Sequence, residues 1–120
     1  MLPNLSDFSL FCQNFHWGNE RKNLSGLPGR KGLNIAFEAV ERHANSHLKG
    51  SVALRRLRKD KRVEEATYAD LQRRRSQFAN VIETLGVVQK DAAFSFAGRV
   101  PGRYIAALGT LKKPLYFAQI

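Results

Sequence analysis

The chain has 120 residues, of which 43% are hydrophobic and 25% are charged. This length suits one modest domain. A membrane-spanning helix is not expected, because no run approaches the roughly 18 apolar residues of a membrane span. Twenty Lys and Arg against ten Asp and Glu give a net charge of +10. Such a balance favours anionic partners, above all nucleic acid.

Cysteine content and the start of the chain indicate where the protein resides. Cys12 is the single cysteine, so no intrachain disulfide framework exists, as in proteins of reducing compartments. Residues 1–17 have no basic leader and carry Asp7 where a signal peptide would be apolar. We therefore expect a cytoplasmic protein.

Residues 1–33 predict an irregular arm. Loop-forming residues recur through it, and aromatic side chains lie between them without a clear period. We expect one short helix around residues 6–15, and the aromatics indicate that the arm packs against something larger. The loop formers are Pro3, Gly18, Gly26, Pro28, Gly29 and Gly32, and the aromatics are Phe8, Phe11, Phe15 and Trp17.

A helix is predicted directly after the arm. Asn34 is of a residue type that caps the amino termini of helices, and apolar residues recur at helical spacing behind it. The predicted helix covers residues 35–44, and Ile35, Ala39 and Val40 share the face that we expect to be buried.

A β-hairpin is predicted next. Its two short strands are VALRRL, residues 52–57, and RVEEAT, residues 62–67. The charged turn RKDK, residues 58–61, joins them.

The strongest helical pattern of the chain follows the hairpin. Thr67 and Asp70 resemble a capping box at its start, with Asp in place of the usual Glu. Gly86 stands where a left-handed residue would end the helix. The apolar positions expected to face the core are Leu71, Phe78, Ile82 and Leu85.

The last elements predict the start of a strand-helix-strand crossover. Residues 92–97 form a short apolar run, typical of a buried parallel strand. Pro101 suits the first position of a helix that continues to Leu111. Helices and strands in this order indicate an α/β fold, and we expect the sequence to stop before the return strand of the crossover.

Soft metal ligands occur in two pairs with the i, i+4 spacing of a helical zinc site. The pairs are Cys12 with His16 and His43 with His47. Nothing in the sequence indicates that the pairs meet, and the second lacks the Glu of a His-Glu-x-x-His motif. We therefore expect surface or partly packed histidines and no metal site.

Paired carboxylates and a glycine-rich loop suggest no reaction either. The carboxylates have no partner that indicates acid–base work, and Cys12 has no recognisable base to make it a nucleophile. The loop GLPGRKG does not follow a strand or deliver Gly-Lys-Ser/Thr to a helix, as a phosphate loop would. The residues concerned are Glu38 with Glu41, Glu64 with Glu65, and Gly26, Gly29 and Gly32.

The basic residues form two clusters that do not build one binding stripe. Neighbours in a strand point to opposite faces, and three consecutive helical residues fan across roughly 200°. No aromatics alternate with them as stacking platforms, so we favour a solvated hairpin tip and helix surface. The clusters are Arg55, Arg56, Arg58, Lys59, Lys61 and Arg62, and then Arg73, Arg74 and Arg75.

Arg75 is the exception, because it lies on the core-facing side of its helix, four residues after Leu71 and three before Phe78. A buried, unpaired charge is costly. The Arg75 side chain must therefore either extend to solvent or pair with a carboxylate. Otherwise the sequence is under weak constraint at this position.

Three stretches carry a family resemblance: LSGLPGRKGLNIAFEAVERHA, TYADLQRRRSQFANVIETLGV and GRVPGRYIAALGTLKK. In their order and spacing, from about residue 4 to residue 112, they resemble the amino-terminal region of AMP-forming acetyl-CoA synthetases and close acyl-CoA synthetase relatives. These are adenylate-forming enzymes. In places the chain departs from the family pattern: Gly102 stands where Glu is usual, Arg56 where a bulky aromatic is common, and Lys113-Pro114-Leu115 where Lys-Asn-Gly is usual.

The resemblance implies a reaction and a domain plan. In the intact family, ATP and acetate give an acyl-adenylate and diphosphate, CoA then takes the acyl group, and Mg²⁺ is required. The fold implied is an incomplete amino-terminal part of the adenylate-forming large domain, in a two-domain enzyme several times longer. Residues 1–33 would be its irregular arm, 34–112 its amino-terminal segment, and 113–120 a divergent tail.

The resemblance brings no active site with it. The family's Ser/Thr/Gly-rich phosphate loop ending in Pro-Lys is absent from the sequence, as are its nucleotide-binding and CoA-binding motifs and its catalytic lysine. We therefore assign no catalytic, cofactor-binding or metal residue, expect no cofactor for this chain, and expect the chain to be inactive alone.

The leading hypothesis is thus an amino-terminal fragment of an acetate–CoA ligase, interrupted near Lys112. A core within residues 34–111 supplies only about 3–5 kcal/mol, so we expect marginal stability. A separately encoded remainder of the synthetase is the candidate partner, and no membrane partner is expected. The alternative function is a small basic nucleic-acid-binding protein, for which affinity would fall steeply with salt.

Overall fold

The amino-terminal arm contains two short helices where the sequence predicts one. Residues 7–30, 32–98, 100–113 and 115–119 are described by the computed structural model of the protein. Helix α1 spans Phe8–Asn14, and helix α2 spans Trp17–Lys22. The predicted helix is confirmed, and its cap is Asp7, whose carboxylate accepts a hydrogen bond from the Leu10 N–H at 2.9 Å. Helix α2 has no apolar period, so the sequence pattern misses it.

Helix α3, residues 35–44, begins at the predicted cap. The Asn34 side-chain oxygen accepts a hydrogen bond from the Phe37 N–H at 3.0 Å, and its amide group donates to the Leu111 carbonyl at 2.8 Å. One side chain thus ties the start of α3 to the end of the last helix. Within α3 a π-helical turn, Phe37–Glu41, precedes a short α-helical turn, Arg42–Ala44.

The buried face of α3 differs from the predicted one. Ile35 is 64% exposed and Ala39 is exposed, so the prediction is wrong for both. The buried face includes Val40 as predicted, but otherwise lies one position later along the chain. Its members are Ala36, Val40 and Ala44, which recur at i, i+4.

The β-hairpin is confirmed. Strand β1, Val52–Leu57, pairs antiparallel with strand β2, Val63–Thr67. The register places Arg55 opposite Glu65 and Arg56 opposite Glu64.

Helix α4, Tyr68–Thr84, starts and ends as the sequence predicts. The Thr67 hydroxyl accepts a hydrogen bond from the Asp70 N–H, and the Asp70 carboxylate accepts one from the Thr67 N–H, each at 3.2 Å. This is a reciprocal capping box. Gly86 adopts φ +78°, the left-handed conformation that favours glycine, and terminates the helix.

The carboxy-terminal part is a complete strand-helix-strand unit. Strand β3, Ala92–Ser95, is followed by helix α5, Pro101–Thr110, and by strand β4, Tyr116–Gln119. Strands β3 and β4 pair in parallel. The expectation that the return strand is missing is therefore wrong, because the last apolar residues pair with β3 in register.

The hydrophobic core lies where the hairpin, α3, α4 and α5 meet. Leu85, predicted to face this core, is 75% exposed, because α4 ends at Thr84 and Leu85 already lies beyond its packed face. Val40, Ala66 and Leu71 form the centre, with Ala53, Leu54, Ile105 and Leu108 partly buried around them. Many of the buried apolar residues are alanines, so each contributes little area.

Arg75 is fully buried at 0% exposure, within this otherwise apolar region. Its guanidinium donates to the Ala36 carbonyl at 2.8 Å and to the Glu41 carboxylate at 2.6 Å. The charge-assisted contact to Glu41 offsets part of the cost of burial. Of the options that the sequence leaves open for Arg75, the structure thus selects a carboxylate partner.

Gly109 marks the closest approach of α5 to α4. A Cβ at this position would lie 2.8 Å from the Phe78 ring and 2.9 Å from the Arg75 carbonyl oxygen. The carbonyl belongs to the backbone of α4 and cannot move cheaply. Glycine therefore sets the distance between the two helices.

Truncation of Glu41 should destabilise the fold more than the loss of an exposed ion pair would. Glu41→Ala leaves the buried Arg75 charge without its carboxylate, and we expect the free energy of unfolding to fall by about 2–3 kcal/mol. Breaking a fully buried pair would cost more, but Glu41 is 29% exposed. Glu65→Ala, which removes the exposed partner of Arg55, should cost less than about 1 kcal/mol. Urea unfolding measures both, and equal losses would contradict the assignment.

Alanine at two glycines of α5 should have opposite effects. Gly109→Ala forces a methyl group against the α4 backbone, and we expect the free energy of unfolding to fall by about 1–3 kcal/mol. Gly102→Ala meets no atom within 4 Å, so reduced backbone entropy should stabilise α5 by about 0.5–1 kcal/mol. Thermal unfolding of the pair gives the comparison, and a neutral Gly109→Ala would refute the close helix contact.

Candidate docking surface

The parallel β3–β4 sheet has one covered and one uncovered face. Helix α5 packs against both strands, and the inward residues of β3, Ala93 and Ser95, are half-buried. The other face is defined by Ala92, Phe94, Tyr116 and Ala118, which the register places side by side. We call these four residues the open face.

The open face is apolar and without charge. Phe94 is 67% exposed and Tyr116 is 66% exposed, and Phe96, just beyond β3, is 90% exposed. The interpretation of residues 92–97 as a buried parallel strand is therefore wrong for this face. In the described residues only α5 covers the pair, whereas a parallel sheet normally has both faces covered.

The chain as a whole exposes more surface than a compact monomer. Its accessible surface is 9381 Å², whereas a folded monomer of 13.6 kDa exposes about 6,600 Å². Its radius of gyration is 16.7 Å, against about 14 Å for a compact domain of this length. The fold therefore leaves much of its apolar surface accessible to another chain.

The hairpin charges pair with one another. Arg55 donates to Glu65 at 2.6 Å, and Glu64 accepts from Arg58 at 2.6 Å and from Arg56 at 3.1 Å. Arg58, and then Arg56, hold the pKa of Glu64 below its usual value by hydrogen bonding to the charged form. Arg62 lowers the pKa of Asp60 in the same way. The pairs Arg55–Glu65 and Arg56–Glu64 lie on opposite faces of the hairpin, as predicted.

The second basic cluster is also divided. Arg73 pairs with Asp70 at 3.1 Å, Arg75 is buried, and Arg74 is exposed beside a shallow groove that also borders Pro101. The three consecutive residues thus point in different directions, as their helical spacing predicts. They do not form a continuous basic surface.

Glu38 joins the arm to α3. Its carboxylate accepts hydrogen bonds from the Gly26 N–H at 2.6 Å and the Ser25 N–H at 3.2 Å, and it pairs with Arg42 at 3.2 Å. Arg42 in turn donates to the Asn23 carbonyl at 2.9 Å. Glu38 and Glu41, adjacent on α3, therefore make separate structural contacts, one to the arm and one to Arg75.

The candidate zinc ligands do not converge. Cys12 is exposed, and His16 accepts a hydrogen bond from the Gly18 N–H at 3.1 Å as the cap of α2. His43 packs on the Tyr68 ring at a centroid distance of 4.9 Å. Over the described ranges, no three His, Cys, Asp or Glu side chains lie close enough together to share a metal ion.

The glycine-rich loop forms turns. Gly26, Gly29 and Gly32 all have positive φ, and the Leu27 N–H donates to the Gly32 carbonyl at 2.8 Å. Within the segments that the structure describes, no helix is both long and apolar enough to cross a membrane.

Comparison with known proteins confirms the resemblance that the sequence carries. The chain is 34% identical over 111 residues to the acetyl-coenzyme A synthetase of Bacillus subtilis, covering 91% of this chain and 19% of that protein. It is 33% identical over 82 residues to the acetyl-coenzyme A synthetase of Methanothrix soehngenii, covering 67% of this chain and 12% of that protein. The chain thus spans less than a fifth of the length of these curated relatives.

A solved structure confirms the α/β fold. The crystal structure of an acyl-CoA synthetase from Brucella canis superposes with a TM-score of 0.73 at 22% identity, over 92% of this chain and 20% of that one. No family model matches the chain.

Acid should remove the contribution of Glu64 to stability. Because its folded pKa lies below the ordinary 4.5, the stabilising contribution is complete above that value and is lost as pH falls through the folded pKa. Glu64→Gln should therefore lower the unfolding midpoint at pH 7, and the difference from the wild type should shrink as pH falls below 4.5. Thermal scans at a series of pH values test this, and a difference that grows towards acid pH would contradict the ion pairs.

Proposed function

Since this chain is homologous to one segment of the acetyl-CoA synthetases, we propose that it is the amino-terminal scaffold segment of an acetate–CoA ligase and has no ligase activity of its own. The observation that carries the proposal is the match of 91% of this chain to 19% of a synthetase. In the intact enzyme the reaction would join acetate and CoA at the expense of ATP. The compartment would be the cytoplasm.

The charged side chains of the chain support a scaffold role. Asp70 closes the capping box of α4, and its pKa is lowered first by the Thr67 hydroxyl and backbone N–H and then by Arg73. Glu41 is held by Arg75, and Glu38 by the arm and Arg42. Carboxylates with these contacts stabilise the fold and are poor ligands for a divalent ion.

ATP, Mg²⁺ and CoA are therefore assigned no residue of this chain. The glycine-rich loop does not fit a nucleotide phosphate, because it neither follows a strand nor opens a helix of useful length. We place the chemistry in sequence that lies outside these 120 residues.

The isolated chain should not form acetyl-CoA. With ATP, Mg²⁺, acetate and CoA, we expect no acetyl-CoA and no acetate-dependent exchange of diphosphate into ATP above a protein-free control. The acetyl-coenzyme A synthetase of Bacillus subtilis, assayed alongside, serves as the positive control. Turnover by the purified chain that is retained through repeated chromatography would refute the proposal.

A further inference from the structure

The open face is an apolar surface that the functions considered so far leave unexplained. We propose that Ala92, Phe94, Tyr116 and Ala118 dock a second polypeptide, namely the part of an acetyl-CoA synthetase that this chain does not contain. This inference rests on the proposed function, because it takes the partner from the same family.

The exposure of the face indicates that it is normally covered. Phe94 and Tyr116 are each about two thirds exposed, although both belong to strands that pair in a parallel sheet. Strands of parallel sheets are ordinarily covered on both faces. Aromatic residues of this size are also the ones that contribute most to protein interfaces.

The chain has enough exposed surface for a stable complex centred on this face. As a whole it exposes about 2,800 Å² more than a compact monomer of its mass, whereas a standard interface takes about 800 Å² from each partner. The four residues of the open face would form the apolar centre of such an interface, and the surface around them would supply the rest.

The length of the relatives identifies the occupant. The solved acyl-CoA synthetase matches this chain over only 20% of its own length. The same fold segment is therefore accompanied in that structure by four times as much further chain. A polypeptide carrying that further sequence is therefore the occupant that we propose.

Net charge argues against a second copy as the occupant. Each chain carries +10, and a charge this far from zero opposes self-association. The open face itself contributes no charge, so an apolar partner surface without a large positive charge can approach it at little electrostatic cost.

The test is co-expression of the full chain with a tagged Bacillus subtilis acetyl-coenzyme A synthetase from which the matched 111 residues are deleted. We expect the two polypeptides to elute together in size-exclusion chromatography. Hydrogen exchange of residues 92–95 and 116–119 should slow in the complex, because these backbone groups become covered.

Matched variants locate the contact. Phe94→Glu and Tyr116→Glu should each lower the amount of co-eluting chain about tenfold or more, as loss of a central aromatic anchor does. Leu57→Glu is the control, since Leu57 is 73% exposed at the end of the hairpin, outside the open face. It should co-elute as the wild type does. Circular dichroism of the three isolated variants checks that each keeps the wild-type fold.

Three results would overturn the docking proposal. In the first, the truncated synthetase stays insoluble or elutes alone beside the wild-type chain. In the second, Phe94→Glu and Tyr116→Glu co-elute with it as well as Leu57→Glu does. In the third, the isolated wild-type chain is a dimer that Phe94→Glu dissociates, so that a second copy covers the face. None of these concerns the ligase assay of the isolated chain, which tests the proposed function separately.

Discussion

The packing of α3 against α4 depends on the hydrogen bonds of the Arg75 guanidinium. It is the one charge buried completely among the described residues, and it bonds to the Ala36 carbonyl and the Glu41 carboxylate, both on α3. A buried ion pair adds little net stability by itself, but removal of either partner is costly. The pair therefore fixes which face α3 presents to α4 more than it raises the stability of the fold.

A short backbone approach on the other side of α4 completes this arrangement. Gly109 brings α5 so close that the Arg75 carbonyl and the Phe78 ring occupy the space of a side chain. Helix α5 is thereby fixed over one face of the β3–β4 sheet, and its position leaves the other face to solvent. The open face is thus the face of the β3–β4 sheet that lies away from α5.

Local signals in the sequence predict the ends of the elements well. Asn34, the Thr67–Asp70 pair and Gly86 each act through hydrogen bonds or φ angles within a few residues, so their effect can be inferred without knowledge of the rest of the chain. Strand β4 has no such signal, because four residues at the end of a chain become a strand only when β3 supplies the hydrogen-bond partners.

Residue type and spacing along the chain are enough to predict the α/β order of elements, the caps, the division of the basic clusters and the resemblance to acetyl-CoA synthetases. The folded structure was needed to identify the partner of Arg75, the buried face of α3, the pairing of β4 and the exposure of the open face. Each of these depends on contacts between residues far apart in the sequence, whose geometry no local pattern encodes.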